Sequence, residues 1–425
     1  MKSDSDPVLF SATDHALMAR ALRLAQRGLF TTQPNPRVGC VIARDGEVVG
    51  EGWHQRAGEP HAEVLALRAA GELARGATVY VTLEPCSHHG RTPPCADALV
   101  PAGITRVVVA SEDPNPDVAG AGLARLRTAG IAVETGLMRE AARELNRGFC
   151  SRFERGRPWL RVKMAMSLDG RTALANGDSK WITSEAARAD VQRWRARSSA
   201  ILTGPGTARA DDPRLTVRPG ALEPLSPRER GRGEGSTKLI HLSDPEPSPA
   251  PSGHPLPEGE GRPISPLRVV LDARLDALAA GAHLLDGSAP TLVLHAPDAQ
   301  PRDERYAQVE LAALSTDSSG RLDLDAVLRL LAAREINELQ VEAGPALCGP
   351  LLERGLVDEL LLYVAPVLLG DSARPLFALP ALTTMASRWQ LRVLEQRRVG
   401  GDLRLLLRPE SDAKVRTRQP VPAPV

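Results

Sequence analysis

His61-Ala62-Glu63, Pro85-Cys86 and Pro94-Cys95 place one imidazole, two thiols and one carboxylate within a stretch of 35 residues. One imidazole and two thiolates at about 2.0 to 2.3 Å suit tetrahedral zinc, with the fourth corner left for water. Zinc lowers the pKa of such a water toward about 7, so hydroxide becomes available at neutral pH to attack an amidine-like carbon. Glu63, two residues from the histidine, is the candidate catalytic proton shuttle: it takes the water proton and passes it to the ring nitrogen, then to the departing ammonia. Positions i and i+2 of a regular helix lie about 200° apart. His61 is therefore expected at or just before a helix N-terminus. A purely structural metal site is the competing reading, because His88 or His89 could supply a fourth ligand and close the sphere. Cys40, Cys150 and Cys348 have no partner pattern and read as small buried hydrophobes.

A second set of residues suggests cofactor chemistry without the common fingerprint. No Gly-x-Gly-x-x-Gly follows a strand and opens a helix between residues 150 and 425, so a Rossmann dinucleotide site has no support. Two glycine-rich turns do follow apolar strands. One is Thr203-Gly204-Pro205-Gly206-Thr207, leading to Ala210-Asp211-Asp212-Pro213; the other is Glu342-Ala343-Gly344-Pro345-Ala346-Leu347. In the second, glycine lets the backbone approach a ligand, and the following helix offers N–H groups and a positive dipole end to a phosphate. A tight strand-to-helix turn with no ligand carries the same glycine.

Elements that could position these residues alternate along the chain. Thr13 can cap a helix with Leu17, Ala21, Leu24 and Ala25 on one face, ending at Gly28. Val38 to Ala43 and Glu47 to Trp53 read as a hairpin turning at Arg44-Asp45-Gly46. A helix from about His61 to Leu73, a strand Ala77 to Leu83 and a helix after Pro94 follow, then a strand Arg106 to Ala110, a helix near Gly122 to Ala129, a strand Ile131 to Glu134 and a closing helix Met138 to Arg147. That pattern predicts an α/β sandwich opening with an antiparallel pair. Residues 151–158 read as a linker, and a second α/β pattern follows. Its strands fall at Trp159 to Ser167, Ala200 to Thr203, Arg268 to Leu271, Thr291 to Leu294, Leu339 to Glu342 and Glu359 to Ala365. Its helices are Glu185 to Arg197, Leu324 to Ala333 and Ala346 to Arg354.

The chain has 425 residues, enough for two domains or one elaborated one. Its formal charge of +1 and 3% aromatic content argue against a nucleic-acid partner, which needs a basic field or stacking platforms. The acidic start, Met1 to Asp6, lacks a secretory apolar stretch, and the run Leu360 to Leu369 is too short for a membrane span. Five scattered cysteines are no disulfide framework. A cytoplasmic protein with no membrane partner is expected. Between Pro219 and Pro266, 11 Pro and 7 Gly fall in 48 residues, marking a low-complexity insertion. Residues 413–425 read as a frayed tail.

Longer motifs carry a resemblance. His-x-Glu with paired Pro-Cys is the signature of zinc nucleobase deaminases, here with eight residues between the cysteines where that signature has two. Thr82-Leu83-Glu84-Pro85-Cys86 through Pro94-Cys95, Asn35-Pro36-Arg37-Val38-Gly39 and Asp113-Pro114-Asn115-Pro116 resemble the deaminase half of the bifunctional riboflavin-biosynthesis deaminase/reductase family. Lys163 to Arg171, Ser179 to Ser184, Ala210 to Thr216 and Val341 to Pro345 are similar to its reductase half. The resemblance implies a cytidine-deaminase-like α/β/α sandwich over residues 1–150 and a dihydrofolate-reductase-like α/β domain over 159–412 interrupted by the insertion at 219–266. It also implies Zn²⁺, NADPH, a small phosphoribosyl pyrimidine substrate and a homo-oligomer. Carried over by position, Asn35, His54, His88 and Arg91 hold the substrate of the first site. In the second, the cofactor meets Ala165, Trp181, Thr207, Asp211 and the turn Gly344, Pro345, Ala346, Leu347, Cys348, Gly349 and Pro350. Its substrate meets Ser179, Arg195, Leu215, Arg218 and Glu342. Two other readings stay open: a nucleoside or tRNA deaminase with a non-reducing second half, and a non-enzymatic zinc protein that binds a ligand.

Overall fold

A computed structural model describes residues 9–87, 94–218 and 264–410. The expected insertion, apart from residues 264–266, and the expected frayed tail lie outside the described residues. The Ser11 hydroxyl accepts the Asp14 N–H while the Asp14 carboxylate takes the Ser11 N–H, a reciprocal box that starts α1 (Ala12–Gln26). Thr13 therefore lies inside the first turn and is not the cap. Strands β1 (Gly39–Arg44) and β2 (Glu47–Trp53) form the expected hairpin. Asp45 and Gly46 both take positive φ, 52° and 84°, as a two-residue turn matched to strand twist requires.

Five further elements complete the first layer system: α2 (Ala62–Ala70), β3 (Thr78–Val81), α3 (Cys95–Leu99), β4 (Arg106–Val109) and α4 (Ala121–Thr128), with β5 (Ala132–Thr135) at the edge. The sheet order is β2-β1-β3-β4-β5, with β1 antiparallel to both neighbours and β3, β4 and β5 parallel. Alternation along β1 sorts its side chains onto two faces. Val41 and Ala43 pack with Leu17, Met18 and Ala21 of α1, whereas Cys40 and Ile42 pack with Ala62, Ala66 and Ala70 of α2. Helices α5 (Arg139–Leu145) and α6 (Arg147–Arg155) follow. The segment expected as a linker is thus helical through Arg155, and Gly156 at φ 64° ends that helix.

The second unit contains β6 (Trp159–Ser167), β7 (Arg171–Ala173), α7 (Glu185–Arg197), β8 (Ala200–Thr203), α8 (Pro205–Asp211), β9 (Leu267–Leu271) and β10 (Thr291–His295). It continues with β11 (Glu310–Ala313), α9 (Leu324–Ala333), β12 (Glu338–Val341), α10 (Pro345–Glu353), β13 (Glu359–Ala365), β14 (Arg374–Pro375), β15 (Leu391–Val399) and β16 (Asp402–Pro409). Nine strands form one sheet, ordered β11-β10-β9-β8-β12-β6-β13-β16-β15. The first seven are mutually parallel and the last two close it as an antiparallel hairpin. Helices α9 and α10 cover one face through Val327, Leu328, Leu331, Leu351 and Leu352; α7 covers part of the other through Ala187 and Val191. Near-continuous apolar runs such as Leu360 to Val364 follow from burial on both faces. Pro366, directly after β13, marks where that run stops.

Candidate active sites

His61 is the N-cap of α2, in extended backbone at φ −73° and ψ 165°. Its ring therefore leaves the chain before the helical period begins, and Glu63 in the first turn can face the same point. That is the arrangement the two-residue spacing demands. Helix α2 lies close on β2, because a Cβ at Gly52 would come within 2.3 Å of the Ala62 carbonyl. Glu84 fastens the loop leading to Cys86. Its carboxylate accepts the N–H groups of Asp113, Gly120, Gly122 and Leu123 at 3.2, 3.0, 3.0 and 3.3 Å. Cys95 is the first residue of α3, and its N–H donates to Cys86 Sγ at 3.3 Å.

His61 Nδ1 lies 3.2 Å from Cys95 Sγ and 3.6 Å from Cys86 Sγ, and the three donor atoms fall within 4.8 Å of one another. Neighbouring donors around a tetrahedral zinc sit about 3.5 Å apart, given bonds of about 2.0 to 2.3 Å, so this donor set fits the ion. Glu63 is 3% exposed, and its Oε2 is buried with no hydrogen-bond partner among the described residues. Burial pushes its carboxyl up to about 7. His54 is buried beside His61, the rings 5.2 Å apart and nearly perpendicular. Burial and then the neighbouring His61 bring it down to about 4. The neutral ring can donate from Nδ1 to the Pro60 carbonyl at 3.4 Å while Nε2 accepts from Asn35 Nδ2 at 3.1 Å. The structure thus brings His61, Glu63, Cys86, Cys95, His54 and Asn35 together. His88, His89 and Arg91 lie outside the described residues.

A cleft of about 1250 Å³ opens at the carboxyl ends of β6, β8, β9 and β12 in the second unit. Of the expected residues, Ala165, Ser179, Trp181, Arg195, Thr207, Asp211, Leu215, Arg218 and Glu342 line it, as do Gly344, Pro345, Ala346, Leu347 and Pro350. Cys348 and Gly349 do not. Both are in α10, with Cys348 fully buried in the core and a Cβ at Gly349 set 2.1 Å from the Ala378 carbonyl. Gly344 caps α10 with Pro at the first position, and its N–H donates to Thr207 Oγ1 at 3.1 Å, tying the two glycine-rich turns together. A helix N-terminus that opens on a cleft of this size suits a dinucleotide phosphate.

Glu342 and Arg195 form a two-pronged pair at 2.7 and 2.8 Å, and Arg195 also donates to the Thr216 carbonyl at 3.0 Å. Burial alone would raise Glu342, but Arg195 and Lys163 outweigh it and hold the carboxyl at about 2. Lys163 also lines the cleft, and was missed by the sequence reading; burial lowers its ammonium below the ordinary range. A usable signal existed, since a lysine between Val162 and Met164 in a strand buried on both faces needs a partner or a ligand.

Comparison with known proteins gives concordant results. Residues 158–405 match the family described as RibD C-terminal domain, and residues 11–111 match the cytidine and deoxycytidylate deaminase zinc-binding region. The riboflavin biosynthesis protein RibD of Escherichia coli K12 is 48% identical, over 93% of this chain and 99% of that protein. The RibD of Haemophilus influenzae is 43% identical, over 94% and 99%. Among solved structures, Acinetobacter baumannii RibD superposes with a TM-score of 0.78 at 42% identity, covering 94% of this chain and 99% of the other. A diaminohydroxyphosphoribosylaminopyrimidine deaminase and phosphoribosylaminouracil reductase from Thermotoga maritima gives 0.74 at 30% identity, with the same coverage.

Proposed function

The chain belongs to the RibD family, the bifunctional deaminase/reductases of riboflavin biosynthesis, and from that premise we propose which of its residues carry each reaction. The enzyme hydrolytically deaminates a diamino-phosphoribosylamino-pyrimidinone with zinc, then reduces the ribosyl group to ribityl with NADPH. We divide the work between residues 1–150 and 159–412, following the two sheets. A cytoplasmic location is supported by five cysteines of which none is in a disulfide.

His61, Cys86 and Cys95 would hold the zinc. When bound there, the metal supplies an acidified water beside the pyrimidine. Glu63 takes the first water proton at Oε2 and passes it to the ring nitrogen, then takes the second, from the added hydroxyl, and passes it to the amine that leaves as ammonia. One C–O bond forms and one C–N bond breaks. Asn35 and neutral His54, already bonded to each other, present a polar edge that orients the pyrimidine. His88 and Arg91 join them by resemblance alone.

In the cleft, Gly344 to Leu347 and Pro350, with Ala165, Trp181, Thr207 and Asp211, would hold NADPH, which supplies the hydride. Arg195 fixes the Glu342 carboxylate, which can accept bonds from ribose hydroxyls, while Ser179, Leu215 and Arg218 complete the substrate wall. Lys163 adds the proton that opening of the sugar ring requires, as hydride reaches the anomeric carbon. The observation that carries the reading is the convergence of three metal donors beside a buried carboxylate whose Oε2 has no partner among the described residues.

Glu63→Gln tests it. Ammonia release should fall by about a thousandfold, while zinc stays bound and reduction of separately supplied deaminated substrate continues. Loss of both reactions by a folded variant would overturn the assignment of two independent sites.

A further inference from the structure

Asn35, the polar residue placed in the deaminase pocket, sits on a loop that the reductase unit grips along its length. The Ile264 N–H donates to the Phe30 carbonyl at 3.2 Å. The Gln33 amide donates to the Arg197 carbonyl, and Ser199 Oγ donates to the Gln33 side-chain oxygen. Asn337 Nδ2 donates to the Pro34 carbonyl at 2.7 Å. Arg37 pairs with Glu338 at 2.7 Å, both buried. Glu338 also receives Arg161 at 3.2 Å and Arg197 at 3.0 Å. The deaminase unit holds the loop as well, through Asn146 and the Leu145 carbonyl on Arg37, the Gly28 carbonyl on Thr31 and Thr32, and His54 on Asn35 itself.

Asn337 and Glu338 lie at the entry to β12, and Glu342, one residue beyond its end, lines the reductase cleft. The central strand of one catalytic unit thus carries both the support for the other unit's pocket and a group of its own. A strand buried between two neighbours is among the stiffest parts of a fold.

We propose that Gln33 and Asn337 are positioning residues for deamination: through them the reductase unit fixes the loop that aims Asn35 at the pyrimidine. The proposal rests on the reading of Asn35 as a substrate contact. Neither residue touches the metal donors or lines the reductase cleft. Glu338 is the wrong position to perturb, because removing it would strand several buried guanidinium groups and damage the fold.

The test is Gln33→Ala with Asn337→Ala in the full-length zinc enzyme, with deamination and reduction followed separately. Loss of these hydrogen bonds should raise the deamination KM about tenfold, leaving kcat within about twofold. Zinc content and the kinetics of reducing deaminated substrate should not change. An unchanged deamination KM in a background where Asn35→Ala raises it would overturn the positioning role and leave the pocket assignment standing. If Asn35→Ala itself has no effect, the pocket assignment fails first and the proposal with it. Should the double variant lose zinc or both activities, Gln33→Ala alone, which leaves the buried Asn337 in place, decides by the same split in KM.

Discussion

The two sites are built on opposite plans. The proposed deaminase centre concentrates its chemistry in side chains: the donor atoms of His61, Cys86 and Cys95 fall within 4.8 Å of one another beside the buried Glu63, and each is a residue type suited to bonding a metal or a proton. The reductase cleft is large, about 1250 Å³, and is walled by segments from Lys163 to Arg374, many of them contributing backbone or shape. Hydrolysis at an unactivated amidine needs an activated water and a proton shuttle, so function sits in a few donors. Hydride transfer needs two large molecules held face to face, so function spreads over a surface. One substitution should therefore abolish the first reaction, whereas single changes in the cleft should leave graded activity.

Cys86→Ser is the sharpest way to break that contrast. A hydroxyl is a poor substitute for a thiolate on zinc. Metal content measured on the purified variant should drop with ammonia release, by a thousandfold or more, and NADPH consumption on deaminated substrate should persist. A comparable loss of reduction would mean that the two sites do not stand apart. Arg195→Met is the counterpart in the cleft. It removes the two-pronged bond to Glu342 and leaves a buried carboxylate without its main cation. The reductase kcat/KM should fall by about a hundredfold, with deamination unaffected, when the two reactions are assayed separately.

The same contrast explains what was readable in the chain. Donor chemistry is local: the His-x-Glu and Pro-Cys spacings pointed to residues that the structure brings together, and even to the backbone requirement that His61 precede α2. Strands with simple apolar runs, such as β6, β8 and β13, were found to the residue. The β15 and β16 hairpin was not. Strand β15 is charged and largely exposed, through Arg392, Gln396, Arg397 and Arg398, so no apolar run announced it. The turn did carry a signal, since Gly400-Gly401 is a two-residue link between paired Val399 and Asp402. Non-local features were the least legible. Gln33 meets Ser199 across 166 residues and Arg37 meets Glu338 across 301, and the buried arginines 37, 147, 161 and 197 make sense only once Glu338 and Glu359 lie among them. Cys348 and Gly349 show a different limit, because a motif carried over as a continuous run does not say which of its residues pack into the core.

The smallest expected effect concerns pH, and it separates a cleft that only holds its ligands from one that also supplies a proton. Glu342, held at about 2 by Arg195 and Lys163 against the effect of burial, stays ionised throughout the neutral range and should put no inflection into the reductase profile above about pH 4. Lys163 behaves oppositely. Burial favours its neutral amine, so its ammonium is lost at a lower pH than the ordinary lysine value of 10.5. If that ammonium protonates the opening sugar, reductase kcat should decline as pH rises through the lowered value, because the deprotonated amine has no proton to give. Lys163→Arg keeps the positive charge but resists deprotonation, so the alkaline decline should disappear and the rate at neutral pH should fall as well, because the guanidinium gives up no proton. A wild-type profile that stays flat up to the ordinary lysine range would leave Lys163 as a charge beside Glu342, and the cleft as pure positioning.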